Sequence, residues 1–266
     1  MKKSMMAVFL VSLIFVGLPA VSSAAGDVKY SIGAGVGVVP DYEGSEDYKA
    51  VPVPHFSAQW QNGRYVTLDG SALKANLLAS DNWSLGPVLQ YRTARDDDVD
   101  NNKVAKMSEI DAAIEAGAFL GYKLALFHLS PMYDSWDIGA QLVTDASGEH
   151  DGMLATARTG YTFKNDRMST RIGASVTYAD DDYMDTYFSV SASDAIRSGL
   201  KKYKAESGVK DVGFDLTLRL KMTENWDIRG AFAYIALLED AKDSPIVDDE
   251  GESGQIKASL VVMYNF

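Results

Sequence analysis

The three histidines are the side chains of this sequence best suited to proton transfer near neutral pH. They are His55, His128 and His150, and only His150 has a serine close by in the sequence, Ser147. A lipid or ester hydrolase needs a serine, a histidine and an orienting polar group that converge on one site. Ser147 and His150 instead share one short polar segment with no visible oxyanion framework. The sequence therefore favours a solvated loop histidine and predicts no enzyme activity.

Runs of carboxylates form the second group of candidate residues. Carboxylate oxygens are the ligands that Ca²⁺ prefers, and Mg²⁺ binds them as well. The three runs are residues 96–98 with Asp100, residues 180–182 with Asp185, and residues 248–250 with Glu252. None follows the ligand spacing of an EF-hand loop, and a solvated acidic loop is the usual explanation. We therefore predict no resident metal and no cofactor, and keep weak, exchangeable divalent-cation binding as a hypothesis.

The composition excludes further classes of chemistry. Cysteine is absent, which rules out disulfides, thiol catalysis and cysteine-based metal sites. The formal net charge is −12 at pH 7. A chain this acidic is poorly suited to neutralising nucleic-acid phosphates, which requires clustered lysines and arginines. No nucleic-acid partner is therefore expected.

The N-terminal segment is predicted to export the chain. Lys2 and Lys3 precede an apolar run at residues 5–18, which is shorter than the about 20 residues that a transmembrane helix needs. Small residues at 22–25 form a plausible cleavage zone. We expect a signal peptide at residues 1–25 that is cleaved near residue 25, followed by one mature domain at residues 26–266.

The mature part is dominated by apolar and polar residues that alternate with a period of two, as in β-strands with one apolar face. In the clearest run, Phe214 and Leu216 alternate with Asp215 and Thr217. Similar runs predict about twelve strands, an even number that is typical of bacterial barrels. The predicted strands are residues 28–39, 51–60, 64–69, 72–79, 83–94, 110–124, 136–145, 153–164, 167–179, 209–222, 225–238 and 255–266.

The connections between these strands alternate in length. Those after the second, fourth, eighth and tenth strands are short and rich in turn-forming residues. The sixth, residues 126–135, is longer. Those after the first, fifth, seventh, ninth and eleventh strands are mostly longer and acidic. Short periplasmic turns and long external loops are the asymmetry of a transmembrane β-barrel. We therefore predict an all-β, antiparallel, up-and-down barrel in the bacterial outer membrane, with both termini in the periplasm.

Charged residues on the polar faces of these strands would line the barrel interior. Acidic and basic side chains are interspersed there, which favours a narrow or blocked interior. An arginine-rich track that passes small acidic solutes is the alternative. The predicted lining residues are Arg92, Asp111, Glu115, Asp137, Arg158, Arg171, Asp215, Arg219, Lys221 and Arg229.

Aromatic residues occupy the expected membrane interfaces and the end of the chain. Trp83, Trp136 and Trp226 each begin a predicted strand at the periplasmic side, where amphipathic rings meet lipid headgroups. In the last predicted strand, Leu260, Val262 and Tyr264 occupy alternating positions, and the strand ends in Phe266. We interpret these two aromatic residues as the signal read by the barrel-assembly machinery. Outer-membrane lipid and lipopolysaccharide are the expected surroundings.

The longest connection, residues 180–208, is predicted to contain a short amphipathic helix at residues 192–203. Such a segment could fold inward as a constriction or lie over the barrel mouth. A mobile surface loop is the alternative.

Several segments, in order along nearly the whole mature chain, resemble the MipA/OmpV family of outer-membrane proteins. The strongest is residues 33–45 together with 48–54, followed by residues 83–87, 183–188 and 243–247. One departure is Asn265, where the family pattern has an arginine between two aromatic residues.

The resemblance implies a barrel of about twelve strands without catalytic residues. It also implies a scaffold that holds murein-remodelling enzymes, a lytic transglycosylase and a murein synthase, as periplasmic partners. A narrow diffusion channel for small solutes is the alternative, and an outer-membrane hydrolase is a third, weaker one. Fold alone does not choose between them.

Overall fold

The computed structural model describes residues 28–126 and 134–266. The predicted signal peptide and His128 lie outside the described residues. Twelve strands occur within the described ranges: β1 Val28–Pro40, β2 Tyr48–Trp60, β3 Tyr65–Asp69, β4 Ala72–Asn76, β5 Trp83–Arg92, β6 Ala113–Leu126, β7 Asp134–Asp145, β8 Met153–Lys164, β9 Met168–Ala179, β10 Gly208–Lys221, β11 Trp226–Leu237 and β12 Gly254–Asn265.

The strands form one closed antiparallel barrel. Each strand pairs with its neighbours in sequence, and β1 pairs with β12 to close the ring. The prediction of a twelve-stranded up-and-down barrel is therefore confirmed. Because the ring is closed, most of the sheet has no unpaired strand edge. Strands can lie in lipid only when their backbone groups are paired in this way.

Within residues 28–126 and 134–266, four short helices lie in the long connections, and only one of them was expected. They are α1 Asp181–Phe188, α2 Ala192–Ser198, α3 Glu239–Asp243 and α4 Pro245–Asp248, with a 3₁₀ turn at Val104–Lys106. Helix α2 ends earlier than the predicted 192–203 because Gly199 adopts a left-handed conformation (φ 80°) that stops the helix. Among the described residues, no helix is long and apolar enough to cross a membrane.

The two ends of the barrel differ, and we name them by their connections. The loop end carries residues 41–47, 93–112, 146–152, 180–207 and 238–253, and the turn end carries the short turns, such as residues 165–167. Trp83, Trp136 and Trp226 lie exposed near the turn end, at or close to the start of their strands.

The period-two alternation separates an apolar outer surface from a polar inner one. In β10, Phe214 and Leu216 are 63% and 43% exposed, and Asp215 and Thr217 face the opposite side. Large exposed apolar side chains recur in this way on most strands. Burial of such a surface requires lipid in place of water.

Glycines allow the barrel to close tightly between β1 and β12. A Cβ atom on Gly33 would lie 2.9 Å from Cγ of Met263, and one on Gly35 would lie 2.7 Å from Cα of Val261. Met263 and Val261 are buried against these two glycines of β1. The glycines in this strand therefore serve close packing.

The apolar core lies inside the barrel near the loop end. Phe119, Val143 and Leu154 project inward from β6, β7 and β8 and pack in one cluster with Tyr183 and Phe188 of α1. Helix α1, which belongs to the longest connection, therefore fills space inside the barrel that the inward-facing side chains of the strands leave open.

Candidate functional site

Helix α1 begins at a strong local signal. Asp180 is its N-cap, and the side chain accepts a hydrogen bond of 3.1 Å from the backbone N–H of Tyr183. Asp181 and Asp182 follow in the first turn, where carboxylates interact favourably with the helix dipole. This local chemistry explains why the acidic run starts a helix.

Helix α1 is surrounded by four other connections at the loop end. The Tyr183 hydroxyl donates to Glu43 in the first of them at 2.6 Å. The carbonyl group of Tyr187 accepts from Arg95 at 3.0 Å, and that of Phe188 accepts from Ser244 at 2.6 Å. The rings of His150 and Tyr183 lie edge to face with centroids 5.3 Å apart. Because these partners come from all sides, α1 occupies the centre of the barrel mouth.

Glu43 is the acidic centre of a charged cluster beneath α1. Its carboxylate pairs with Nζ of Lys210 and lies 3.4 Å from Arg92. Burial alone would raise the pKa of Glu43, but the attraction of these two cations and the hydrogen bond from Tyr183 lower it to about 2. Glu43 is therefore ionised and neutralises charges that the interior would otherwise leave unpaired.

Lys210 reaches this cluster through an irregularity in its strand. The register between β9 and β10 shifts between Val209 and Asp211, so one extra residue interrupts the regular pairing. Lys210 and Asp211 are both buried, and they also pair with each other. The bulge therefore places a lysine inside the mouth.

Arg92 links the helix to the barrel wall. Its guanidinium carbon lies 4.9 Å from the ring centroid of Tyr183 and 5.3 Å from that of Tyr187. Its Nε donates to the fully buried Glu115 at 2.7 Å. Burial raises the pKa of Tyr183 well above its ordinary value, more than Arg92 lowers it. The Tyr183 hydroxyl therefore remains protonated and acts as a donor.

The geometry at Ser147 and His150 does not form a hydrolase pair. The Ser147 hydroxyl donates to Asp145 at 2.6 Å and accepts from the N–H of Ile114 at 3.1 Å. Nδ1 of His150 accepts from the N–H of Gly152 at 3.1 Å, and Nε2 lies 3.4 Å from Glu115. Each side chain is held by structural partners, so neither is positioned as a nucleophile or as its base.

The carboxylate runs act as caps and ion-pair partners. Asp96 accepts from the N–H of Asp98 at 3.1 Å, Asp180 caps α1, and Glu250 pairs with Lys103. Over residues 28–126 and 134–266, no group of three or more histidine, aspartate or glutamate side chains is arranged to hold a metal ion. The hypothesis of weak divalent-cation binding therefore has no built site in this part of the chain.

Arg171 forms the centre of an ion-pair belt nearer the turn end. Its Nε and Nη2 contact the two oxygens of Asp137 at 3.1 and 2.8 Å, and Nη1 contacts Asp215 at 2.6 Å. Arg171 lies on β9 and Asp137 on β7, so the side chain must cross β8. Gly160 makes this possible, since a Cβ atom there would lie 2.7 Å from Nε of Arg171.

Two further predicted residues form ion pairs near the turn end. Nε of Arg219 donates to Asp227 at 2.7 Å. Both terminal nitrogens of Arg229 on β11 donate to the carboxylate of Asp69 at the end of β3, and Nη1 lies 2.7 Å from Oδ2. Since β11 and β3 are four positions apart around the ring, this pair spans the interior.

The remaining predicted lining residues have different surroundings. Arg158 lies beside a small cavity, and Lys221 is exposed at the end of β10. Asp111 is exposed and precedes β6, which begins at Ala113 and not at the predicted residue 110. Its N–H donates to Glu149 in a neighbouring connection at 2.7 Å, so Asp111 belongs to a connection at the loop end and not to a strand, and its place in the lining stays a prediction.

The C-terminal aromatic residues lie at the seam of the barrel. Phe266 is 62% exposed and stacks on Tyr30 of β1 with ring centroids 6.0 Å apart. The ring centroids of Tyr264 and Trp226 lie 5.0 Å apart. The reading of Tyr264 and Phe266 by an assembly machinery stays a prediction.

The charged cluster under α1 was largely missed by the sequence analysis. Arg92 and Glu115 were expected inside, but Glu43, Tyr183 and Lys210 were not singled out. Two signals were available: the aspartate run as an N-cap with its first turn, and the helical spacing of the buried side chains of α1.

The closed ladder, the apolar outer surface and the polar interior together define an outer-membrane β-barrel. The family model described as MltA-interacting protein MipA matches residues 32–266. The chain therefore belongs to the MipA family, and the proposed family resemblance is confirmed.

Two curated relatives are similar over most of their length. The putative outer membrane protein YiaT of Escherichia coli (strain K12) is 26% identical over 234 residues, covering 87% of this chain and 89% of the relative. The MltA-interacting protein of the same strain is 22% identical over 220 residues, covering 83% and 84%. Among solved structures, an outer membrane channel from Pseudomonas putida F1 has a TM-score of 0.46 at 10% identity, covering 93% of this chain and 99% of that chain.

Proposed function

We propose that this protein is a non-enzymatic anchor for murein-remodelling enzymes in the outer membrane. The similarity to a protein named MltA-interacting protein supports a murein lytic transglycosylase as the periplasmic partner, and a murein synthase would complete the complex. In this proposal residues 1–25 are removed on export, and residues 26–266 form the barrel. Both termini and the short turns then face the periplasm.

The observation that carries the proposal is the position of α1 in the barrel mouth. A diffusion channel needs a continuous aqueous path, whereas α1 packs against strand interiors and against four other connections. Further towards the turn end, the Arg229–Asp69 pair crosses the interior, and the Arg171 pairs line its wall. A barrel closed in this way is better suited to present a surface than to pass a solute.

The anchor role can be tested with purified components. We would immobilise the refolded barrel in detergent and titrate it with the murein lytic transglycosylase encoded in the same genome. The two turn-end residues Asp166 and Glu224 are exposed, and we expect the double charge reversal D166R/E224R to weaken binding. The matched control K201E/K202E alters two exposed residues of the loop end and should bind like the unmodified protein. Absence of binding by the intact barrel, or loss only in the loop-end control, would refute the proposal.

A further inference from the structure

A small cavity lies on the inner wall near the turn end, away from the charged cluster under α1. Its volume is about 90 Å³. Strands β5 to β8 form its walls, and the side chains that reach it come from positions just above the short turns. The lining residues that matter here are Ser84, Gly121, Lys123, Asp137, Gly139 and Arg158.

The charges around this cavity are unbalanced. Asp137 already has both oxygens bound by Arg171, which in turn also pairs with Asp215. Arg158 and Lys123 have no acidic partner within 4 Å among the described residues. A fourth cation, Lys74, lies near enough to Arg158 for the two to repel each other. Asp69 attracts Lys74 in turn and pairs with Arg229, so five basic side chains face three acidic ones in a chain that is acidic as a whole.

The backbone keeps room for a ligand beside these cations. Gly121 and Gly139 lie opposite each other on β6 and β7. A Cβ atom on Gly139 would lie 3.4 Å from Nε of Arg158, and one on Gly121 would lie 2.6 Å from the Ser84 hydroxyl. The two glycines therefore leave the Arg158 side chain uncovered beside the cavity, and the Ser84 hydroxyl, which also contacts Tyr65, lies next to it.

We propose that this cavity binds a single oxyanion group, a phosphate or a carboxylate, that enters from the turn end. A guanidinium fork, an ammonium group and a hydroxyl are the donors that recognise such a group in proteins. A bound anion would offset the repulsion between neighbouring cations in a site partly shielded from water. This inference goes beyond the anchor role and does not depend on it.

The test is calorimetric titration of the refolded barrel in detergent at low ionic strength. Inorganic phosphate is the probe in one arm and acetate in the other, so that the two oxyanions are distinguished. We expect a saturable isotherm with at least one of them. Replacement of Arg158 or Lys123 by glutamine should raise the dissociation constant by at least about tenfold, because each removes a charged hydrogen-bond donor. K221Q, which neutralises an exposed cation on β10, is the matched control and should bind like the unmodified protein.

Two results would overturn the proposal. One is the absence of saturable binding of either anion to the intact protein. The other is binding that K221Q weakens as much as R158Q does, since this would show only a diffuse attraction to the basic interior. Unfolding midpoints confirm that each variant is folded. Because Lys123 is exposed, K123Q keeps the test decisive if R158Q fails to fold.

Discussion

The hydroxyl group of Tyr183 donates a hydrogen bond of 2.6 Å to Oε2 of Glu43, which joins α1 to a connection 140 residues earlier in the chain. Glu43 also pairs with Lys210 of β10 and with Arg92 of β5. One carboxylate thus connects the helix in the mouth to two distant strands of the wall. The position of α1 therefore depends on this contact as well as on apolar packing.

Replacement of Glu43 by glutamine should destabilise the protein. The substitution preserves the shape of the side chain but leaves Lys210 and Arg92 without their shared counter-charge. Removing one partner of a buried ion pair costs about 3 kcal/mol, and we expect a loss of this size in the free energy of unfolding. Urea unfolding of the barrel in detergent, followed by tryptophan fluorescence, measures it. Glu46 in the same connection is exposed, and E46Q should leave the unfolding curve unchanged.

Stability should also fall in acid through the same carboxyl group. The pKa of Glu43 is lowered from its ordinary value of 4.5 to about 2 in the folded protein. The unfolded chain therefore binds the proton more readily, and the stability that Glu43 contributes is complete above about pH 5 and is lost as the pH falls towards 2. Unfolding midpoints from pH 6 to pH 2 should decline less steeply in E43Q than in the unmodified protein. Equal slopes would contradict the assignment of Glu43 as a half-buried, ionised partner.

Replacement of Gly152 by alanine should displace α1. A Cβ atom at this position would lie 2.7 Å from Cα of Tyr183, so the helix has to shift. Overpacking of this kind costs about 1–3 kcal/mol, and we expect G152A to become more sensitive to proteases within residues 180–207. Gly230 has open space around it, and G230A provides the control. If both variants resist proteolysis like the unmodified protein, α1 does not pack against Gly152.

The strands could be predicted from the sequence because each carries its own pattern. The predicted strand 153–164 agrees with β8, and 167–179 differs from β9 by one residue, since alternation and flanking turn residues are local signals. The start of β6 was misplaced because the polar alternation continues through Asp111 into a connection. That position is fixed by a hydrogen bond from Asp111 to Glu149, which no local pattern shows.

The interior contacts could not be predicted in the same way. Arg229 and Asp69 were both visible in the sequence, but their pairing depends on the number of strands and on their stagger around the ring. Lys210 enters the mouth only because a bulge interrupts β10. The partners of Tyr183 come from separate connections, so its role becomes apparent only when the barrel is closed.

The most direct test of a closed barrel mouth is single-channel conductance in planar bilayers. The refolded protein without residues 1–25 would be compared with a variant in which a short glycine-serine linker replaces residues 181–207. We predict no discrete openings for the intact protein, because α1 fills the mouth, and salt-dependent openings for the variant. Discrete, salt-dependent openings in the intact protein, at a conductance equal to that of the variant, would contradict the closed mouth and favour a diffusion channel.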